Sequence, residues 1–530
     1  MGLQKPEKIV DVPTDDDPVP TSLTLVHDLL VNPQFTDETG AVATLPEVGS
    51  GGEESKLKVL MGLMKKLINV KDIANLRLSL PASLLEPIPN LEYWQYADRA
   101  DILAAQLERM LAVLRFSFSK ELKFIRSRLG KPYNSTLGEH FRCSWRLPPI
   151  IIDKETNEPI VRTHIHVPIP GEPAYGSQGG SGWTTPVLRP QDGGLPPSEV
   201  SSIKSSSSKS SKKQTSKQID LALIDRAIPG AGREIESDPD AGVVESEKVT
   251  VVFLCEQISH HPPISAAYYC CPEKGIEASC VDQIAARVSG MSVKIGPGSS
   301  NKGIFVRITR EGPGQNEEYQ ITHPSAAVNG ILKGSYYGTI SDAVQIICRG
   351  GEDSQTKLKA LLDYKDESWI GKPKFLVEGI IYRYDVGDSE SEGWTRIKQV
   401  PSDRVVGYIE GCWMKQIRYK LKGQKAILLD LDQLALIPKD VRPLEEQDDH
   451  ESRKLWESVT QHLLSKNWGE ATRSKQTIEQ RQRDKATQRK VAGEEHQAKF
   501  FQTNYEDGRP QLTKEGQAAV EEEIKRCKDR

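Results

Sequence analysis

Between residue 249 and about residue 435 the chain is cut into many short apolar runs by turn residues, and this spacing dictates most of what it can fold into. VTVVFLC (249–255), GIFVRITR (303–310), DAVQIIC (342–348), KFLVEGIIYRY (374–384) and KAILLDL (425–431) have strand length. GPGSSNKG, REGPGQNEE and RGGEDSQ separate runs of this kind and supply turn chemistry. A long series of such segments predicts a large antiparallel sheet that closes toward a barrel. A barrel of that size has an interior that can hold a ligand.

Helices flank this region. Ile102, Leu103, Leu107, Met110, Leu111, Leu114, Phe118, Leu122 and Ile125 give one apolar face to a helix over about 99–128. Gly130 suits the position after its end. Strand-like alternation follows from about 137 to 170, as in THIHV at 163–167. The last hundred residues read as charged helices over about 448–466, 469–491 and 514–528. Nearer the start, Leu57, Leu60, Met61, Met64, Leu67 and Ile68 repeat at helical spacing opposite Lys58 and Lys65, with Ser55 placed to cap. That stripe either packs permanently on a core or acts as a lid that covers a pocket or touches a membrane.

Two stretches cannot bury a core. Residues 1–54 are rich in Asp, Pro, Thr and Gly and read as a disordered tail. Residues 171–247, with SSIKSSSSKSSKKQTSK, read as a flexible insertion into a domain that spans 55–530. Serines beside lysines there suit either phosphorylation or a plain solvated spacer.

Composition removes several function classes. No run of about 18 apolar residues is present, so no transmembrane helix is expected. The opening MGLQKPEKIV lacks an apolar signal core, and Pro6 stands where a myristoylation motif needs Ser or Thr. Eight cysteines are scattered without a C-x-x-C pair, which argues against a zinc module or disulfide framework and for a reducing cytosol. A net charge of -4 argues against a chain dominated by nucleic-acid binding.

Three separated segments carry the candidate chemistry. In EQISHHPPISA (256–266) two prolines fix an extended or turn backbone around His260 and His261. Adjacent imidazoles there are surface groups, metal ligands or phosphate donors, and a metal lacks an evident third ligand. In LGKPYNSTLGE (129–139), Pro132 and Gly138 frame a tight loop from which Lys131 and Asn134 can face an oxyanion. In SKQTIEQRQR (474–483), Lys475, Glu479 and Arg483 share one helix face at steps of about 6 Å. That face is either a salt-bridged surface or a phosphate contact in which Glu479 orients the cations.

Together these segments resemble the oxysterol-binding-protein-related family of lipid exchangers. Its fingerprint E-Q-V-S-H-H-P-P is similar to EQISHHPP, with Ile258 for Val. Its K-P-x-N-P-x-L-G-E loop is similar to KPYNSTLGE, where Ser135 replaces a proline. Its charged helix is similar to KQTIEQRQR, and ESRKLWESVTQHLLSKNW also fits the pattern. The resemblance covers about 55–170 and 248–505. It implies a β-rich (α+β) fold, a large near-closed antiparallel β-barrel with an N-terminal lid helix and C-terminal helices. It also implies that Lys131, Asn134, His260, His261, Lys475, Glu479 and Arg483 bind the headgroup of phosphatidylinositol 4-phosphate.

Further expectations come with the resemblance. The tunnel beneath the Leu57–Ile68 lid would hold acyl chains or a sterol, and the lipid would be exchanged against sterol or phosphatidylserine. No cofactor, metal or nucleic acid is implied. The expected protein is a cytoplasmic monomer that touches membranes transiently, at sites such as endoplasmic reticulum contacts. Two rival classes are a non-transporting lipid sensor or tether and a phosphoinositide-modifying enzyme. Against the enzyme, no G-x-S-x-G elbow is present.

Overall fold

The computed structural model describes residues 106–120, 133–147, 248–289, 292–329, 337–351, 355–367, 374–421, 423–431, 439–502 and 504–529, with short pieces at 43–44, 78–79, 91, 151–152 and 159–160. The expected tail 1–54, the Leu57, Leu60, Met61, Met64, Leu67 and Ile68 stripe, Lys131 and the insertion 171–247 lie outside the described residues.

The long helix that opens the continuously described part is α1, Gln106–Ser119. Fifteen strands then build one sheet. They are β1 His140–Leu147, β2 Val249–His260, β3 Pro263–Cys271, β4 Ile276–Asp282 and β5 Ile284–Ser289. Next come β6 Ser292–Pro297, β7 Ile304–Ile308, β8 Glu317–Ile321, β9 Ser325–Asn329 and β10 Tyr337–Gly350. The last five are β11 Thr356–Tyr364, β12 Leu376–Asp385, β13 Val405–Cys412, β14 Gln416–Leu421 and β15 Gln424–Asp430. A short helix α2, Ser389–Glu392, sits between β12 and β13. Four helices end the chain: α3 Ser452–Leu455, α4 Glu457–Leu464, α5 Trp468–Ala492 and α6 Lys514–Lys528.

Every pairing in this sheet is antiparallel, and the order is β15-β14-β13-β12-β11-β10-β8-β7-β4-β3-β2-β1. Strand β10 is shared. Its first part, to Ser341, pairs with β9, which continues the sheet through β6 to β5. From Asp342 it pairs with β11, and Asp342 takes a left-handed φ of 71° where the partner changes. Asp is among the few side chains that tolerate that region.

The register lines up an apolar row across the sheet. Phe141 faces Cys255, and the row continues through Ala267, Cys280, Ile304, Ile321, Ile346 and Ala360 to Ile381. All nine are buried in the main core. Side chains alternate between faces along each strand, so one such row marks a whole inner face. Helix α1 packs against that face, and every side chain described from Arg109 to Lys120 is buried.

That burial exceeds the one-sided apolar stripe read from the sequence. The polar groups are matched inside. Arg109 makes two hydrogen bonds to Glu317, at 2.7 and 2.6 Å, and Tyr319 donates to the same carboxylate at 2.7 Å. Arg115 donates to the Leu428 carbonyl at 2.9 Å. A buried charge is tolerable only when it is paired in this way.

The two edges of the sheet are brought together by the chain itself. Strand β15 ends at Asp430, and ten residues later Asp440 exchanges backbone hydrogen bonds with Ser144 of β1 at 2.7 and 2.9 Å. Further along the same edge, His140 N donates to His450 O at 3.0 Å. The segment that leaves one edge strand thus covers the other, and the sheet curls into a near-closed barrel. The outer face of β2 and β3 is covered by α6, where Val252, Leu254 and Ala266 meet Phe500, Phe501, Ala519 and Val520. Among the described residues, no helix is long and apolar enough to cross a membrane.

Candidate functional site

The tip between β2 and β3 carries the two histidines. His260 ends β2, Pro263 opens β3, and the His261–Pro262 peptide is cis. Local bonds shape this tip. Gln257 Nε2 donates to the Ser259 carbonyl at 2.7 Å, and Ser259 Oγ donates to the Pro262 carbonyl at 2.8 Å. The imidazoles lie with centroids 4.5 Å apart, His260 half-buried and His261 exposed.

The loop that leads into β1 lies beside this tip. Gly138 N donates to Gln257 O at 2.9 Å, and Gln257 N donates to Glu139 O at 2.8 Å. These two bonds extend the β1–β2 ladder to within three residues of His260. Gly138 sits at φ 79°, a conformation that favours glycine. Asn134 is exposed, between buried Tyr133 and Ser135.

The loop is anchored by a buried acid. Glu139 accepts from Thr136 N at 2.9 Å, from Ser452 Oγ at 2.7 Å and from Trp456 Nε1 at 3.0 Å. Burial raises its pKa, and those three donors oppose the rise. Glu256, the first residue of the histidine fingerprint, has a similar task. It accepts the backbone amides of Lys499 and Phe500 at 2.8 and 2.7 Å. Burial again lifts its pKa against those bonds. Both acids hold chain segments in place. Their place inside the fingerprints was visible in sequence, but their burial was not.

Helices α4 and α5 attach to the same loop. Tyr133 stacks on Trp456 with centroids 4.8 Å apart, and its hydroxyl lies 2.8 Å from Thr460 Oγ1. Val459, Leu463 and Ala471 complete this cluster, with Trp468 and Ile478 packed against it. Lys475 lies between Ala471 and Ile478 on α5, so it shares the face that meets Tyr133. It is buried at 4% exposure, and its Nζ is 2.9 Å from Glu479 Oε1. Arg483 follows one turn later, half-buried. Its guanidinium donates to Gln480 Oε1 at 3.0 and 2.8 Å, so it is oriented by Gln480.

Loop, hairpin tip and α5 are therefore linked through Gly138 on Gln257 and through the cluster of Tyr133, Trp456 and Ala471, and these elements carry Asn134, His260, His261, Lys475, Glu479 and Arg483. The tip is braced by its own hydrogen bonds, the loop is pinned by Glu139, and the helix adds one buried and one half-buried cation. Chemically this is a rim of donors suited to phosphate oxygens.

One trio among the described residues has metal-binding atoms within 4.8 Å of one another: His140, Asp448 and Glu451. Cations of the protein already occupy it. Asp448 bonds to His140 at 3.0 Å and to Lys499 at 3.1 Å, while Glu451 pairs with Arg442 and lies 3.7 Å from Arg142. It is a structural knot, and neither His260 nor His261 belongs to it.

A sequence model described as oxysterol-binding protein matches residues 60–163 and 242–523, well over half of the chain. The chain belongs to the oxysterol-binding protein family. It is 38% identical over 492 residues to the oxysterol-binding protein-like protein 1 of Schizosaccharomyces pombe, covering 89% of this chain and 92% of that protein. It is 25% identical over 460 residues to the human oxysterol-binding protein-related protein 11, covering 85% of this chain and 49% of that one, so it spans about half the human length. The solved Osh1 ORD domain has the same fold, with a TM-score of 0.53 at 15% identity over 96% of this chain and 98% of that one. The family is one of lipid-binding domains rather than of enzymes.

Proposed function

We propose that this protein extracts phosphatidylinositol 4-phosphate from a membrane, carries it with the headgroup at the barrel rim, and exchanges it for a second lipid. What carries this reading is the joining of three distant segments at one rim: Gly138 bonded to Gln257, and Tyr133 packed on Trp456. The segments so joined carry cationic and amide donors, and the strands beside them have an inner face whose cross-strand row is apolar from Phe141 to Ile381.

In this reading Lys131, Asn134, His260, His261, Lys475 and Arg483 bind the phosphates, and Glu479 orients Lys475 or accepts an inositol hydroxyl. The lipid tails lie against the inner face. Each Å² of tail removed from water contributes about 25 cal/mol, so a chain exposing several hundred Å² is held by hydrophobicity alone. The headgroup contacts then select which lipid is taken. The Osh1 domain of the same fold was solved with cholesterol, which makes a sterol one candidate for the second cargo, and phosphatidylserine is the other. The Leu57–Ile68 stripe is proposed as the lid, and the protein works as a monomer at membrane surfaces, including contacts of the endoplasmic reticulum.

The test is transfer between two liposome populations. Purified protein is expected to move labelled phosphatidylinositol 4-phosphate intact from donor to acceptor vesicles, faster when the acceptor holds sterol or phosphatidylserine. Mass spectrometry of copurifying lipids identifies the second cargo. Binding without transfer would make the protein a sensor or tether, and conversion of the lipid to a new product would make it an enzyme.

A further inference from the structure

Beside the headgroup loop, four basic groups meet on the side of α5 away from Arg483. They are His450, Lys485, Arg489 and His496. At about 100° per residue, Lys485 and Arg489 turn to the opposite flank of the buried Lys475–Gln482 stripe from Glu479 and Arg483. None of the four belongs to the headgroup set.

Contacts in the fold place Lys485, His450 and His496, and Arg489 lies one turn beyond Lys485 on the same flank of α5. Lys485 Nζ lies 3.2 Å from His450 Nε2. The backbone of His450 is held by its amide, which donates to Asp448 Oδ1 at 2.8 Å, and by its carbonyl, which accepts from His140 N at 3.0 Å. His496 packs on the loop, its Cε1 3.1 Å from where a Cβ on Gly138 would stand. Its Nε2 is buried and makes no hydrogen bond among the described residues.

Charged groups of both signs surround these imidazoles. His450 interacts with Lys485 and His140 and with Asp448 and Asp449, and His496 interacts with Arg489 and His450 and follows Glu494 and Glu495 in the chain. Asp448 is already engaged by His140 and Lys499, and Asp449 lies 3.6 Å from Lys454. Burial first, then the neighbouring cations, lower the pKa of both histidines. An ammonium and an imidazole at hydrogen-bond distance are stable while the imidazole is neutral and accepts, or when an anion joins them.

We infer that His450, Lys485, Arg489 and His496 form a second anion site that takes a phosphate group. Phosphate supplies several acceptor oxygens and a charge that balances this cluster near neutral pH. Once it binds, both imidazoles become protonated donors. The phosphate comes either from an additional phosphate on a lipid headgroup or from solution.

Deuterium exchange at histidine C2, read by mass spectrometry on the full-length protein over a pH series, gives the protonation midpoint of each histidine. Inorganic phosphate is the probe, and sodium chloride at equal ionic strength is the reference, since salt alone screens exposed charges. Phosphate is expected to raise the midpoints of His450 and His496 by about one pH unit, a tenfold gain in proton affinity. Lys485→Gln combined with Arg489→Gln removes most of that phosphate-dependent rise. Arg483→Gln leaves it in place, whatever happens to lipid uptake, so the two sites fail independently.

Midpoints that do not move, that move equally in chloride, or whose rise survives the double substitution would overturn the inference. Vesicles resolve the source. A rise with phosphatidylinositol bisphosphate but not with the monophosphate assigns the site to the headgroup, and a rise with dissolved phosphate alone assigns it to the free ion.

Discussion

Gly138 donates its amide to the carbonyl of Gln257 at 2.9 Å, and with the return bond from Gln257 N to Glu139 O it fastens the loop bearing Asn134 to the hairpin bearing His260 and His261. The bond needs Gly138 at φ 79°, with His496 packed where a side chain would begin. Two fingerprints more than a hundred residues apart in the chain are therefore one structural unit, and the glycine is its joint.

Gly138→Ala tests that joint. A left-handed backbone costs an alanine about 1–2 kcal/mol, and its Cβ would press on His496 Cε1 at 3.1 Å. The variant is expected to lose about 1–2 kcal/mol in urea unfolding and to lose phosphoinositide uptake even well below its unfolding midpoint. Full uptake by this variant would mean that loop position does not govern the site.

Glu139→Ala should be the more damaging change. It strands Thr136 N and Trp456 Nε1, the latter at the C-terminal end of α3, while Ser452 Oγ keeps the His140 carbonyl at 3.2 Å. Unpaired buried donors cost about 1–3 kcal/mol each, partly relieved if water enters. A destabilisation of roughly 3 kcal/mol is expected, and Glu139→Gln recovers part of it because the amide oxygen still accepts. The check is the pair of denaturation curves. Equal loss in both variants would mean that the carboxylate's charge, rather than its acceptor geometry, holds the loop.

Much of this was legible in the sequence. The runs at 249–255, 303–310, 342–348, 374–384 and 425–431 each became a strand, because strand length and turn chemistry are local properties. The C-terminal helices also fell where the charged stretches place them. Long-range pairing was not legible. Arg109 and Glu317 are 208 residues apart, so the all-round burial of α1 has no local signature. The same holds for Tyr133 on Trp456, which decides that α5 meets the loop. Candidate residues were identified by type and spacing, whereas the acids that position them are told from ligand-facing acids only by burial. The Leu57–Ile68 stripe and Lys131 lie outside the described residues.

Asp448 gives a dependence on pH. Burial works against its charge, but His140, the His450 amide and Lys499 outweigh that and hold its pKa well below the ordinary carboxylate value. Its folded pKa is depressed, so its contribution is complete above the unfolded value of about 3.9 and fades as the pH falls below it. The stability difference between the wild type and Asp448→Asn should therefore be constant near neutrality and shrink below about pH 4. Urea midpoints measured across that range check it, and a gap that widens on acidification would contradict the assignment.

The last prediction separates headgroup from tail. His260→Ala with His261→Ala removes two donors from an exposed tip whose shape is set by Gln257, Ser259 and the prolines, so the fold should survive. Arg483→Glu places a negative charge on the phosphate side of α5. Hydrogen bonds to charged groups contribute about 1.5–3 kcal/mol, so either change should weaken phosphatidylinositol 4-phosphate extraction from liposomes by at least about tenfold. Binding of the second lipid should change little, because it depends on the apolar inner face. Extraction of both lipids is measured side by side, with circular dichroism to confirm folding. If both lipids are lost together from folded protein, the headgroup and tail do not occupy separable sites; if extraction is unchanged by Arg483→Glu, α5 does not contact the phosphate.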